Sequence, residues 1–140
     1  MIHFFCPGCW IEVDEAARCC GRCGYDLSAY QDLSFEDKLL LALRDPIRET
    51  QRMAVYLLGR LGSERALSAF EELLASSGDP YLLREVVQAL SRIPLDGSMR
   101  LMEGACRHPS TLVSEAARAM IEPLSRLCNG SASPASRHGA

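Results

Sequence analysis

From Ser34 onward the apolar residues recur at the period of a helix. Ala54, Leu57, Leu58 and Leu61 fall at i, i+3, i+4 and i+7. Leu83, Val86, Val87 and Leu90 repeat that pattern, and Val113, Ala116, Ala117, Met120 and Leu124 repeat it again. Each set lays one apolar stripe along one side of a helix and reads first as core. Shorter helices are predicted between them. They run from about residue 35 to 44 (Leu39, Leu40, Leu43), 64 to 75 (Leu67, Phe70, Leu74) and 98 to 107 (Leu101, Met102, Ala105).

The breaks between these stripes share their chemistry. Asp45-Pro46, Asp79-Pro80 and His108-Pro109 each end one helix and open the next. Proline has no N–H to lose at a first helical position, and a preceding Asp can cap. Gly62-Ser63 and the stretch from Pro94 to Ser98 separate the pairs. The order is therefore helix, turn, helix, three times over. Self-similarity at this spacing means stacked helical pairs, and three pairs are the minimum for a stable array. The N-terminal segment is expected to cover one end of it and polar residues of the last helix the other.

The stretch LLGRLGSERALSAFEELLASSGDP, residues 57 to 80, resembles the short HEAT-like repeats, also known from phycobilisome-lyase-type proteins. It carries A-L-x-A-F-x-x-L-L in a first helix, D-P in the loop, and L-G-x-L-G at the end of a second helix; the other second helices read LSRIP and MIEPL. The tetratricopeptide W…LG…Y pattern is absent. The resemblance implies a mainly α fold, an α-α solenoid of three helical pairs over residues 33–128. It also implies a concave binding surface built by the second helices. Candidate contacts there are Arg48, Gln51, Arg52, Arg84, Gln88, Glu115 and Arg118. One departure concerns the arginine that such repeats place early in the second helix. Gln51, Leu83 and Val113 occupy those places, so a function built on an arginine ladder is not expected.

Charge narrows the function classes. The 140 residues carry a net charge of −3, with acids and bases interspersed, unlike the strongly basic balance of a general nucleic-acid binder. No apolar run approaches the length of a membrane span. MIHFFCPGC has neither a basic segment nor a long apolar stretch, so no signal peptide is expected. Seven cysteines then point to a reducing, cytoplasmic setting in which thiols bind metal or stay free. The odd count argues against a complete disulfide framework. NGSASPASRHGA, residues 129–140, is small and polar and predicts a disordered tail.

Residues 1–32 hold five of the seven cysteines and the only tryptophan, Trp10. Cys6, Cys9, Cys20 and Cys23 form C-x2-C-x10-C-x2-C. Two such turns supply four thiolates to one tetrahedral centre, which suits one zinc ion per chain. Rubredoxin-type iron takes the same sulfur set. Gly8, Gly21 and Gly24 suit the tight turns. Cys19 is an alternative to Cys20, with the less regular C-x-x-x-C spacing; His3 reads as solvated, and Cys106 and Cys128 as helix-packing residues.

FFCPGCWIEVDEAARCCGRCGYDL resembles the short zinc-ribbon modules at the start of many bacterial proteins. Their pattern is C-P-x-C-G, a short acidic hairpin, then F-C-x-x-C-G. Trp10 stands where glycine is usual and Cys19 where an aromatic is usual. A catalytic dithiol competes with this reading, but no βαβ pattern surrounds CPGC. No HExxH, GxSxG, GxGxxG or P-loop motif occurs, so no enzyme is expected.

The expected molecule is a small N-terminal zinc ribbon joined to a HEAT-like array, acting as an adaptor that binds another protein. The alternatives are a nucleic-acid adaptor using Arg52, Arg84 and Arg118, and a lyase-like accessory protein. If the second-helix face is not the site, Trp10 and Tyr25 of the ribbon come next.

Overall fold

The computed structural model describes residues 3–129. A hairpin opens the chain: β1 (Phe4–Phe5) pairs antiparallel with β2 (Glu12–Val13), Phe4 opposite Val13 and Phe5 opposite Glu12. After the second cysteine pair comes the single turn α1 (Leu27–Gln31). Asp26 caps it, accepting the N–H groups of Ser28 and Ala29. The longer helices are α2 (Phe35–Ala42), α3 (Arg48–Leu61), α4 (Ala66–Ser76), α5 (Pro80–Ser91), α6 (Asp96–Ala105) and α7 (Thr111–Asn129).

Three Asp/His-Pro breaks are present, but only one opens its helix in the expected way. Asp79 caps α5 by accepting from Tyr81 and Leu82, with Pro80 in the first turn. At the other two the side chain accepts only from the residue two places on. Asp45 Oδ1 takes the Ile47 N–H at 2.8 Å, and His108 Nδ1 takes the Ser110 N–H at 3.1 Å. Neither also reaches the residue three places on, as Asp79 does, so neither caps a helix, and α3 and α7 start at Arg48 and Thr111. Pro123 lies within α7, on an exposed position. The predicted tail lies outside the described residues, apart from Asn129, which closes α7.

The second helices form the inner layer of the array. α5 lies between α3 and α7 and packs on both, while α2 covers α3, and α6 packs against α5 and α7. This placement explains the burial of α5. Leu82, Val86, Ala89 and Leu90 join the main core with Val55, Leu58, Phe70 and Met102, whereas Leu83 and Val87 join a second core with Ala105, Val113 and Ala117. A helix with a neighbour on each side must be apolar on two faces, so its single predicted stripe was too narrow. On α3 the stripe turns: Val55 is buried and Leu61 is left largely exposed.

Both glycines of LGxLG have a physical task. A Cβ on Gly59 would stand 2.7 Å from the Cα and Cβ of Ala89, so its absence lets α3 and α5 approach. Gly62 closes α3 at φ 64°, the left-handed position that ends a helix.

Candidate functional site

Two tight turns build the cysteine cluster, and they make the same bonds at a sequence offset of fourteen. In the first, the Cys6 N–H donates to the Ile11 carbonyl, the Trp10 N–H to the Cys6 carbonyl, and the Gly8 N–H to Cys6 Sγ at 3.3 Å. In the second, the Cys20 N–H donates to Tyr25, the Gly24 N–H to Cys20, and the Arg22 N–H to Cys20 Sγ at 3.4 Å. The fourth residue after each leading cysteine must take positive φ. Gly24 does so at 76° and Trp10 at 59°. Only Gly24 is free of strain, because a bulky residue at such a φ carries a steric cost.

The four Sγ atoms of Cys6, Cys9, Cys20 and Cys23 all lie within 4.8 Å of one another. Cys6 and Cys23 are 3.5 Å apart and Cys9 and Cys20 are 3.6 Å apart. Four sulfurs at about 2.3 Å from a central ion would be separated by about 3.8 Å, whereas a disulfide needs about 2.0 Å. The donor set therefore fits a tetrahedral metal ion and not a bonded pair. Cys6 and Cys20 are buried, Cys9 is half-buried and Cys23 exposed.

Without an ion, the four thiols compete for charge. The backbone N–H groups of Cys23 and Arg22 pull Cys20 down to about 6. The Tyr25 N–H favours ionisation of Cys23, but desolvation and the thiols of Cys6, Cys9 and Cys20 together push it up to about 12. Adjacent thiolates repel one another, and a cation among them removes that conflict.

The other candidate ligands stand apart. Cys19 is exposed and its backbone bridges to Asp26. His3 Nδ1 pairs with Glu12 across the hairpin, and Cys106 packs beside the second core. The side chain of Cys128 lies outside the described ones.

Several predicted contact residues of the second helices have partners within the chain. Gln51 Nε2 donates to the Leu43 carbonyl at 3.1 Å, and Arg118 Nη2 to the Cys106 carbonyl at 3.2 Å, each at the end of a preceding helix. Arg48 pairs with Asp79 at 3.3 Å and Arg52 with Glu85 at 3.5 Å, both between α3 and α5. Arg84 keeps a buried Nε without a hydrogen-bond partner, and Glu115 is exposed. Gln88 is half-buried. Of the ribbon aromatics, Trp10 is half-buried, and Tyr25 lines a groove of about 570 Å³ between α2 and α4.

A group absent from the predicted list is assembled here: Met53, Tyr56 and Arg60 on α3, with Arg92 just past α5. Its signal in the sequence was the i, i+3/i+4, i+7 spacing of Met53, Tyr56 and Arg60 on the face opposite the core. The link to Arg92 is a tertiary contact and has no such signal.

A family model described as HEAT repeats matches residues 36–122. No curated protein and no solved structure matches the chain.

Proposed function

Because the chain belongs to the HEAT repeat family, we propose that it is a zinc-binding adaptor without catalytic activity of its own. Its array would bind another protein through the exposed side of the second helices, in a cytoplasmic setting where thiols stay reduced. The observation that carries the metal half is the gathering of four Sγ atoms by two turns with equivalent hydrogen bonds. Cys6, Cys9, Cys20 and Cys23 would hold the ion. A closed set of four thiolates favours a structural role, since catalytic zinc keeps an open position. Zinc is preferred to iron because it needs no redox poise to remain bound.

The protein-binding half rests on the family and on the exposed apolar residues of α3 and α5, Met53 and Tyr81. The nucleic-acid alternative is weakened by its own residues. Arg52 is paired to Glu85 and Arg118 is engaged with the Cys106 carbonyl, which leaves less charge free for a phosphate backbone.

Elemental analysis of the full chain purified without added metal tests the first half. One zinc per chain, lost in Cys20→Ser, is expected; a metal-free protein whose Cys6 and Cys9 are oxidised to a disulfide would overturn it. Affinity capture with the full chain and with Met53→Arg tests the second half. A partner held by the parent chain and by the variant alike would place the binding site elsewhere. A submicromolar DNA or RNA complex at about 150 mM salt, where exposed charges are screened beyond about 8 Å, would replace the protein-adaptor reading.

A further inference from the structure

The outward side of α3 and α5 carries one cluster that neither the core nor the cysteine site uses. On α3, Glu49, Met53, Tyr56 and Arg60 share a face by helical spacing; on α5 and just beyond it, Tyr81, Glu85, Gln88 and Arg92 do the same. The two faces join where Arg52 meets Glu85 and where Arg92 reaches Tyr56.

Two guanidinium groups stand over the Tyr56 ring. Arg60 stands 5.9 Å from the ring centroid and Arg92 5.1 Å. Arg60 Nη1 also donates to the Tyr56 hydroxyl at 3.1 Å. The other arginines of α3 are neutralised, Arg48 by Asp79 and Arg52 by Glu85. Among the described residues, neither Arg60 nor Arg92 has an ion-pair partner, and both are exposed. The local field is positive enough to hold the Tyr56 phenol below its ordinary range, first through the Arg60 hydrogen bond and charge, then through Arg92.

Beside this pair lies a shallow depression of about 300 Å³ lined by Glu49, Arg52, Met53, Tyr56 and Glu85. Met53 is 56% exposed and Tyr81, on the same face, 58%. An exposed thioether on the face of Tyr56, whose ring carries two unneutralised cations, combines an apolar foothold with a demand for negative charge.

We propose that this cluster docks an acidic segment of a partner protein. Carboxylates pair with Arg60 and Arg92, and an apolar side chain of the same segment sits over Met53 and Tyr56. The inference rests on the second-helix face being the binding face, and it supplies the chemistry of the partner. Charge complementarity selects the occupant. Neither guanidinium group is paired with an acid among the described residues, and such groups pair well with carboxylates. Both cations stand over one ring, so two acidic side chains close together in sequence reach both. Two unpaired cations neutralise too little of a long phosphate backbone, while a small free anion would leave the apolar foothold unused.

The test is a fluorescence anisotropy titration of the full chain with two labelled peptides. One contains Glu-Leu-Glu flanked by Gly and Ser; the other replaces both Glu by Gln. At about 50 mM salt, where exposed pairs are weakly screened, the acidic peptide is expected to bind at least about tenfold more tightly. Arg60→Gln/Arg92→Gln should weaken it by about tenfold or more, whereas Arg107→Gln, an exposed arginine of the α6–α7 turn, should leave it unchanged. Circular dichroism confirms that each variant is folded.

Equal binding of both peptides, weakened by Met53→Arg, would overturn the acidic specificity and leave the second-helix face as the binding face. Absence of binding, or binding that survives the double arginine change, would overturn the docking site itself. An oligonucleotide that displaces the acidic peptide and binds more tightly would also overturn it, in favour of a phosphate ligand.

Discussion

Replacing Gly59 by alanine tests the packing of the array at its closest point. An added Cβ would stand 2.7 Å from both the Cα and the Cβ of Ala89. Carbon atoms in favourable contact lie about 3.5–4.0 Å apart, so α3 and α5 would have to separate by about 1 Å. Neither contacting atom can swing aside, because one is backbone and the other is fixed to it. Separation would loosen Val55 and Leu58 against Val86 and Leu90, all buried in the main core. Overpacking costs about 1–3 kcal/mol, and the rigidity of this contact places it at the upper end. Alanine returns up to about 1 kcal/mol through helix propensity. The net expectation is a loss of about 2 kcal/mol, or a fall in Tm of roughly 10 °C for an array of this size.

Thermal and urea unfolding followed by circular dichroism at 222 nm measures the change. Gly104→Ala is the control, since nothing lies within 4 Å of its added Cβ. It should leave stability unchanged or raise it by up to about 1 kcal/mol. Adding Ala89→Gly to Gly59→Ala should recover part of the loss, because one of the two clashing carbons disappears. A Gly59→Ala protein with a Tm at or above the parent would refute the close approach.

Three further outcomes are expected. Gly24→Ala places a Cβ in open space but at φ 76°, so its cost of about 1 kcal/mol is backbone strain. Competition with a chelator should show metal affinity reduced roughly fivefold. Chelation of the full chain should remove the metal and spare most of the 222 nm signal, because the cores of the array involve no residue before Leu39; loss of most of it would make the N-terminal segment an integral cap. Asp37 is held below its ordinary range by the Ser34 hydroxyl and then by Arg65. Its contribution is present above the unfolded carboxylate pKa of about 3.9 and is lost as pH falls through the lower folded value. Asp37→Asn should therefore lower Tm near neutral pH, with the difference closing in acid; a constant difference across that range would exclude the linkage.

The features legible in the sequence are those built from neighbours along the chain. The two C-x-x-C turns close within six residues, from Cys6 to Ile11 and from Cys20 to Tyr25, so their spacing carries their geometry. The helical stripes carry element type for the same reason. What spacing could not carry is set across the array. α5 needs two apolar faces only because α3 and α7 both pack on it. Gln51 reads as a surface residue until Leu43 comes within reach of its amide. Trp10 sits where the pattern asks for glycine, and the equivalent hydrogen bonds of the two turns hold it at positive φ nonetheless.

The same distinction explains which arginines remain open for binding. Arg48 and Arg52 fall early on α3, opposite the acidic Asp79 and Glu85 of the next second helix, and those pairs tie the two helices together. Arg60 and Arg92 lie at or just beyond the ends of α3 and α5, where among the described residues neither has an ion-pair partner and both stand over the Tyr56 ring. Exposed ion pairs contribute little to stability, so neutralising Arg48 and Arg52 matters chiefly for what it removes from the binding face. It leaves Arg60 and Arg92, at the C-terminal ends of two adjacent helices, without acids of their own. A partner that reads charge would therefore be oriented along α3 and α5 as well as attracted to them.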